Sequence, residues 1–359
     1  MGDLEIYALR ADQLTPDHIE QWSALQRGNS AFDHPFFHPE FTRAVAAVRD
    51  DVEVGIIERD GRYVGFFPFH REANDVGQPV GGTMSDMNGV IVAGDVEWTA
   101  MDLLQGCGLA AWYFDHLITT QAPFEPYYRT TEDSPYMDLS AGYDAYVKQR
   151  RDASGGSSIK QAERKARKIA REVGPLTFHL HTDRRDAFDT LVAWKREQIV
   201  RMQYVDVFSS DWVVNMLRRV SETNVNGFQG LLSALYAGDR MVAVHLGVRS
   251  GAVISSWIPA YDPAFGRYSP GVLLHLELAR IAADQGVERI DLGRGENRMK
   301  TNLMSGAYPV ALGFVDRRPI NRLVSHGWYR LRDLVYSTPL QGPPLRLYRR
   351  ARNLLSGLR

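Results

Sequence analysis

The sequence predicts an α/β protein with mixed sheets, built as two similar halves joined by a basic helix and followed by a basic tail. Three observations carry that expectation. Val52–Glu58 and Tyr63–His70 alternate as strands about Arg59-Asp60-Gly61-Arg62, a strong hairpin signal. Leu231–Tyr236 and Arg240–Val248 repeat the pattern about Ala237-Gly238-Asp239. Each hairpin precedes a strand, a loop, a helix and another strand. Gly61 and Asp239 stand about 178 positions apart, and Phe114 and Ile290 in the later strands about 176, the near-equal spacing of an internal duplication. The expected bounds are 1–147 for the first half, 148–173 for the connecting helix, 174–316 for the second half and 317–359 for the tail.

Composition narrows the class. A length of 359 residues suits two domains, and 44% hydrophobic with 24% charged residues is ordinary for a globular chain. The single cysteine, Cys107, excludes an internal disulfide and a cysteine-rich zinc site. No basic region followed by an apolar one marks a secretory signal at the N-terminus, and no apolar run approaches the roughly 18 residues of a membrane span. A cytoplasmic location is expected. His34 and His38 lack a third partner at ligand spacing, so no metal is expected.

In chain order, Leu4–Leu9 reads as a strand and a helix begins near Thr15-Pro16. An aromatic, proline-rich turn over Phe32–Pro39 leads to a helix at Glu40–Val48. Met84–Val92 reads as a strand, Trp98–Cys107 as a helix and Ala111–Ile118 as a strand. From Lys148 to Arg171 nine lysines and arginines face two acids, Asp152 and Glu163. Ile159, Ala162, Ala166, Ile169 and Val173 form one apolar stripe, so this is an amphipathic basic helix, either a solvated bridge or a cradle for phosphates. Leu176–His181 is a strand, helices follow around Phe188–Lys195 and Trp212–Ser221, and Leu312–Val315 is the last strand. The tail from Arg317 carries ten arginines against Asp333, interleaved with Trp328 and Tyr329. Such a tail either packs as a helix or lies on an anionic membrane surface.

The stretch from Val253 to Lys300 holds most of the polar chemistry. Val253–Pro259 is a strand, and Ser269 with Pro270 opens a helix that Gln285-Gly286 stops. A second strand, parallel to the first or near it, covers Val287–Leu292. A loop feeding a helix N-terminus suits an anion. Asp291, Arg294, Glu296 and Lys300 follow at the carboxyl edge of the sheet, where α/β folds bind ligands. Neither familiar phosphate motif is present. Arg298 stands where a dinucleotide fingerprint needs its third glycine, and Gly295…Lys300-Thr301 lacks the glycine before the lysine of a P-loop.

The order of strand pair, strand, anion-receptive loop, helix and strand is similar to the GNAT acyltransferase core. Ala243-Val-His245-Leu-Gly247, Ser269-Pro-Gly271 and Asp291-Leu-Gly-Arg-Gly-Glu296…Lys300 resemble the GNAT-related acetyltransferases of the cellulose-biosynthesis CelD type, relatives of the FemABX peptidyltransferases. Ser85-Asp86-Met-Asn-Gly89, Ser134-Pro-Tyr-Met-Asp138 and Trp194-Lys195 fit the same pattern, so the resemblance spans roughly residues 30–315. It implies a tandem GNAT-like double domain. It further implies acyl transfer, in the first instance acetyl from acetyl-CoA or another acyl-CoA, to an amine such as an amino sugar on a nucleotide- or lipid-linked saccharide. The glycine-rich pyrophosphate loop of ordinary GNAT enzymes is absent, and Arg267-Tyr-Ser-Pro-Gly271 is a partial stand-in. Two rivals stand beside this reading. One is a Fem-like transfer from aminoacyl-tRNA, with the basic helix on RNA backbone; the other is a non-catalytic scaffold in polysaccharide synthesis.

Transfer to an amine needs a proton acceptor, an oxyanion donor and an acid for the leaving group. His245 lies mid-strand between the small residues Ala243 and Gly247, and two registers of the following turn place Ser255 or Ser256 opposite it. It is a base or a packed core histidine. Asp291 is a catalytic carboxylate or an acceptor for loop N–H groups, and Tyr261 an acid or a packing residue. Arg267, Ser269 and Gly271 are the expected donor-binding residues. Asp86, Lys195, Trp257, Arg294, Glu296 and Lys300 are those expected to bind the acceptor.

Overall fold

In the computed structural model, which describes residues 4–153, 157–182, 184–295 and 297–318, fourteen strands join in one sheet. The first half runs β1 (Leu4–Arg10), α1 (Pro16–Arg27), α2 (Pro39–Ala46), β2 (Val52–Arg59), β3 (Arg62–Glu72), β4 (Val76–Pro79), β5 (Ile91–Val92), α3 (Ala100–Gly106), β6 (Ala111–Ile118) and β7 (Tyr128–Asp138). Two helices, α4 (Tyr143–Ala153) and α5 (Ser157–Glu172), lead onward. The second half is β8 (Leu176–His179), α6 (Arg185–Arg201), α7 (Asp211–Glu222), β9 (Asn224–Val225), β10 (Phe228–Ala237), β11 (Arg240–Ser250), β12 (Val253–Tyr261), α8 (Pro270–Asp284), β13 (Arg289–Asp291), α9 (Arg298–Leu303) and β14 (Gly306–Asp316). Glu296 and residues 319–359, which include almost all of the basic tail, lie outside the described residues.

Both hairpins form where alternation and turn chemistry put them. Asp60 and Gly61 take φ of 52° and 73°, the left-handed pair that a two-residue hairpin turn requires. The strand order is β1-β2-β3-β4-β6-β14-β7-β13-β12-β11-β10-β8. Read inward from either edge, each half repeats one arrangement: an outer strand, the hairpin, then a parallel pair. Those pairs are β4 with β6 and β12 with β13. The mixed α/β sheet and its doubled order therefore stand as expected. At the centre the halves exchange strands. β7 follows β6 in the chain but pairs with β13, β14 follows β13 but pairs with β6, and β7 and β14 pair with each other.

Several elements differ from the expectation, each for a physical reason. Met84–Val92 is mostly loop, with only Ile91–Val92 in strand; Asp86 and Asn88 interrupt its apolar run. β7, YRTTEDSPYMD, is polar along most of its length, and its place is set by partners on both sides. In the basic stretch α4 and α5 flank residues 154–156, which lie outside the described residues. Lys300 falls in a short helix, α9, whose first turn Asn297 caps.

Three apolar clusters hold the layers together. One takes Trp22 of α1, Phe41 of α2, Phe188 of α6 and Met216 of α7 together with Phe66 of β3 and Leu246 of β11, so it is shared by both halves. A second packs α4, α5 and α8 on the second half. The third packs α3 on the first half around Trp112, Phe114 and Phe124. At roughly 1.5–3 kcal/mol for each buried large side chain, the shared cluster couples the halves in folding. Among the described residues no helix is long and apolar enough to cross a membrane.

Candidate active site

The parallel pair of β12 and β13 is short. It covers Val253↔Arg289, Ile254↔Ile290 and Ser255↔Asp291 and then stops. β12 continues to Tyr261, paired only with β11 on its other side. The cause is local. Leu246 faces Ile258 and Val248 faces Ser255, so Ser256 and Trp257 together oppose the single residue Gly247. That is a β-bulge, which bends its strand. Gly247 is required there, because a Cβ would lie 2.6 Å from His245 Cε1 and 3.0 Å from the Ser255 carbonyl oxygen. Beyond Ser255 the strand turns an unpaired edge of main-chain donors and acceptors toward a gap.

A cleft of about 280 Å³ lies on the α8 side of this gap. Ile159, Leu276 and Met299 contribute apolar lining, and Lys165, Ser269 and Arg298 contribute polar groups. Lys165 Nζ donates to Ser269 Oγ at 2.6 Å. Ser269 stands at the N-cap of α8 but takes φ 54° and ψ 54°, and its side chain caps nothing. Pro270 follows at the first helical position, as expected. The end of a 15-residue helix thus faces the cleft with no acid in its first turn, which leaves the positive end of its dipole uncompensated. The equivalent helix of the first half is closed off. Thr99 Oγ accepts from the Asp102 N–H at 3.1 Å, and Asp102 adds a negative charge to the first turn of α3.

On the other side of the gap, residues from both halves meet. Trp257 donates from Nε1 to the Met84 carbonyl at 2.6 Å and packs edge-on against Phe36 and Phe41, fixing the loop that carries Asp86. Gly293, after β13, lies against that carboxylate; a Cβ there would sit 3.1 Å from Asp86 Oδ2. Burial raises the Asp86 carboxyl pKa, opposed by His116 and Lys300. Lys195 reaches from α6 to the Pro259 carbonyl on the open edge of β12, at 3.3 Å. Burial lowers its pKa to about 8, with Asp86 opposing the shift. Lys300 Nζ donates to the carbonyls of Gly293 and Arg294 at 2.8 and 2.7 Å, so it fastens the loop after β13. Burial lowers its pKa too.

Asp291 is 1% exposed. It accepts from Tyr308 Oη and from Ser134 Oγ at 3.4 Å, with His34 Nε2 3.8 Å away. Burial pushes its carboxyl up to about 6, against the hydrogen bond from Tyr308 and the charge of Arg289.

The remaining sequence candidates fall in two groups. Tyr261, Ser269 and Gly271 line the cleft. Arg267 does not; it turns to Tyr268 Oη and to Glu172 of α5, 3.5 Å away, and clamps α5 to the loop. Arg294 pairs with Glu132 at 3.4 Å and donates to the Asp115 carbonyl. Glu296 lies outside the described residues. His245 is fully buried, with neither ring nitrogen hydrogen-bonded among the described residues. Its ring lies 5.7 Å from that of His275, and burial holds its pKa well below the usual histidine value. Neither serine stands opposite it. The turn is the tight pair Gly251-Ala252 between the paired Ser250 and Val253, and the bulge adds one residue more, so that Pro259 does, a correction to the expected pairing. His275 itself, bonded to Ser256 and to the Gly271 carbonyl at 2.8 and 2.7 Å, was not singled out in the sequence. Nor was Lys165, although it stands one helical turn from Ala162 at the border of the apolar stripe.

Among the described residues no group of three or more histidine, cysteine or acidic side chains could hold a metal ion.

Comparison with known proteins agrees with this geometry. Residues 156–301 match the family described as acetyltransferase (GNAT) domain. The second half therefore carries a domain of the N-acyltransferase class, and the match includes α5, α8 and the cleft between them. Among solved structures, FemX is similar at a TM-score of 0.58 and 10% identity, covering 89% of this chain and 98% of that one. The C-terminal domain of a protein described as a lysylphosphatidylglycerol synthetase from Agrobacterium fabrum is similar at 0.54 and 11%, covering 90% and 98%. L-PGS from Bacillus licheniformis is similar at 0.54 and 13%, covering 87% and 96%. At these identities the likeness is one of fold, and it extends over both halves. A comparison with curated proteins found no match.

Proposed function

We propose that the chain is an N-acyltransferase that takes an acyl group, acetyl in the simplest case, from a coenzyme A thioester and delivers it to an amine. One observation carries the proposal: β12 parts from β13 beside an uncapped helix N-terminus that faces a cleft. The residues present fit such a donor. The first turn of α8, Lys165 and Arg298 offer positive charge to its phosphates, and Ile159, Leu276 and Met299 offer an apolar wall to the rest. When bound, the thioester supplies an activated carbonyl. The open edge of β12 presents main-chain N–H groups to a developing oxyanion, and Tyr261 borders the same space. His245 is sealed beneath α8, so we assign it to packing and place proton transfer among the groups at the gap. An amino sugar of a polysaccharide precursor is the acceptor class that the family resemblance favours.

A second reading, transfer from an aminoacyl-tRNA, draws on α5, whose Lys160, Arg164 and Lys168 lie close to the cleft-lining Lys165 along one helix. An assay of thiol release from acetyl-CoA with amine acceptors separates the two. Turnover with the free thioester, lowered in Lys165→Ala through KM, supports the first. Binding to tRNA that falls steeply with salt, without thiol release, supports the second.

A further inference from the structure

Asp86, Lys195 and Lys300 lie close enough for their charges to act on one another, yet they do not close on each other. Among the described residues Asp86 makes no ion pair within 4 Å with either lysine. Each is held apart by its own tether. Lys195 is drawn to the Pro259 carbonyl on the open edge of β12. Lys300 is drawn to two carbonyls of the loop after β13. Asp86 rests against Gly293, on a loop that Trp257 fixes through Met84. Asp86 and Lys195 remain partly exposed. A structural ion pair collapses to contact to offset its desolvation, whereas a recognition site keeps complementary charges at the spacing of its ligand.

We infer that the region between these groups binds an acceptor that carries both a primary amine and an anionic group, with the ammonium at Asp86 and the anion at Lys195. The inference rests on the acyltransferase reading for the name acceptor; the recognition itself does not. Lys195 keeps two donors beyond its bond to Pro259, enough for a carboxylate or phosphate oxygen. An anion there also offsets the burial and, after it, the Lys300 charge that lower the pKa of Lys195. Asp86 has both oxygens for an ammonium, and burial, which raises its carboxyl pKa, makes it a stronger proton acceptor than an exposed carboxylate. The site needs both halves of the chain, Asp86 from the first and the lysines from the second. That gives the first half a role although its own helix N-terminus is capped.

The test is direct binding, without donor, of three probes by calorimetry and thermal shift: glucosamine 6-phosphate, glucosamine and glucose 6-phosphate. The full chain should prefer the doubly charged probe to each of the others by about tenfold or more, the scale of one hydrogen bond to a charged group. Asp86→Asn should abolish the preference over glucose 6-phosphate and keep that over glucosamine. Lys195→Gln should do the reverse. Equal affinity for all three probes, or loss of both preferences together in each variant, would overturn the inference. Acetyl-CoA binding is measured in parallel. A normal response to acetyl-CoA with no discrimination among the probes removes this site and leaves the donor reading standing. Discrimination without acetyl-CoA binding does the opposite.

Discussion

Lys165 of α5 reaches Ser269 at the mouth of α8, its Nζ 2.6 Å from the serine hydroxyl. The contact puts a cation beside a helix N-terminus that has no capping side chain, and it joins two elements 104 positions apart in the chain. Lys165→Ala should therefore weaken acetyl-CoA binding by about ten- to a hundredfold, as for loss of a hydrogen bond to a charged group. Lys165→Arg should keep most of it. Isothermal titration of the three proteins checks this, and equal affinities would remove Lys165 from the donor site.

Lys195 has a pKa of about 8, lowered by burial and held up by Asp86. Its labelling by an amine-selective reagent, followed by peptide mass spectrometry from pH 6.5 to 10.5, should show a midpoint near 8. Exposed lysines should give midpoints near 10.4. Removing the charge of Asp86 in Asp86→Asn should move the Lys195 midpoint lower. A midpoint that rises or stays fixed in that variant shows that the two groups do not interact.

Asp291 gives the chain a pH-dependent stability of defined sign. Its folded pKa of about 6 lies above the unfolded carboxylate value, so the folded state binds the extra proton between about pH 4 and 6. The stabilising contribution of this group is complete below the unfolded pKa and is lost as pH rises through about 6. The full span is on the order of 3 kcal/mol. Urea midpoints should accordingly fall less between pH 4.5 and 7 in Asp291→Asn than in the natural chain. Parallel curves for the two proteins would contradict the burial of an ionisable Asp291.

Gly247 and His245 should be coupled. Gly247→Ala drives a methyl into the imidazole, an overpacking that costs about 1–3 kcal/mol. In a His245→Ala background the same change should cost clearly less. His245→Gln should lower Tm while leaving kcat within a fewfold of the natural value. A fall in kcat of a hundredfold or more, with Tm unchanged, would return His245 to the chemistry.

What was legible in the sequence were the features fixed by local chemistry. Asp60-Gly61 and Gly238 announced the hairpins, Ser269-Pro270 the start of α8, and their spacing the doubled strand order. What was hidden depended on partners far along the chain. β7 has the polarity of a loop and becomes a strand between β13 and β14. The pairing of His245 depends on the tight turn at Gly251-Ala252 and on a bulge at Ser256-Trp257, neither of which alternation marks. Arg267 reads as an anion ligand in the sequence, and only the fold brings Glu172 of α5 to it. Lys195 and Asp86 have motif context, and only the fold, with Trp257 tying the two halves at Met84, brings their charges within reach of each other.

Hydrogen exchange with and without acetyl-CoA tests the central claim most directly, because it reports where on the chain a donor is held. The account predicts slowed exchange at residues 158–166, 266–274 and 298–303, around the cleft, and none around Thr99–Gly106, where α3 is already capped. Protection confined to α3, or spread evenly over both halves, would contradict it.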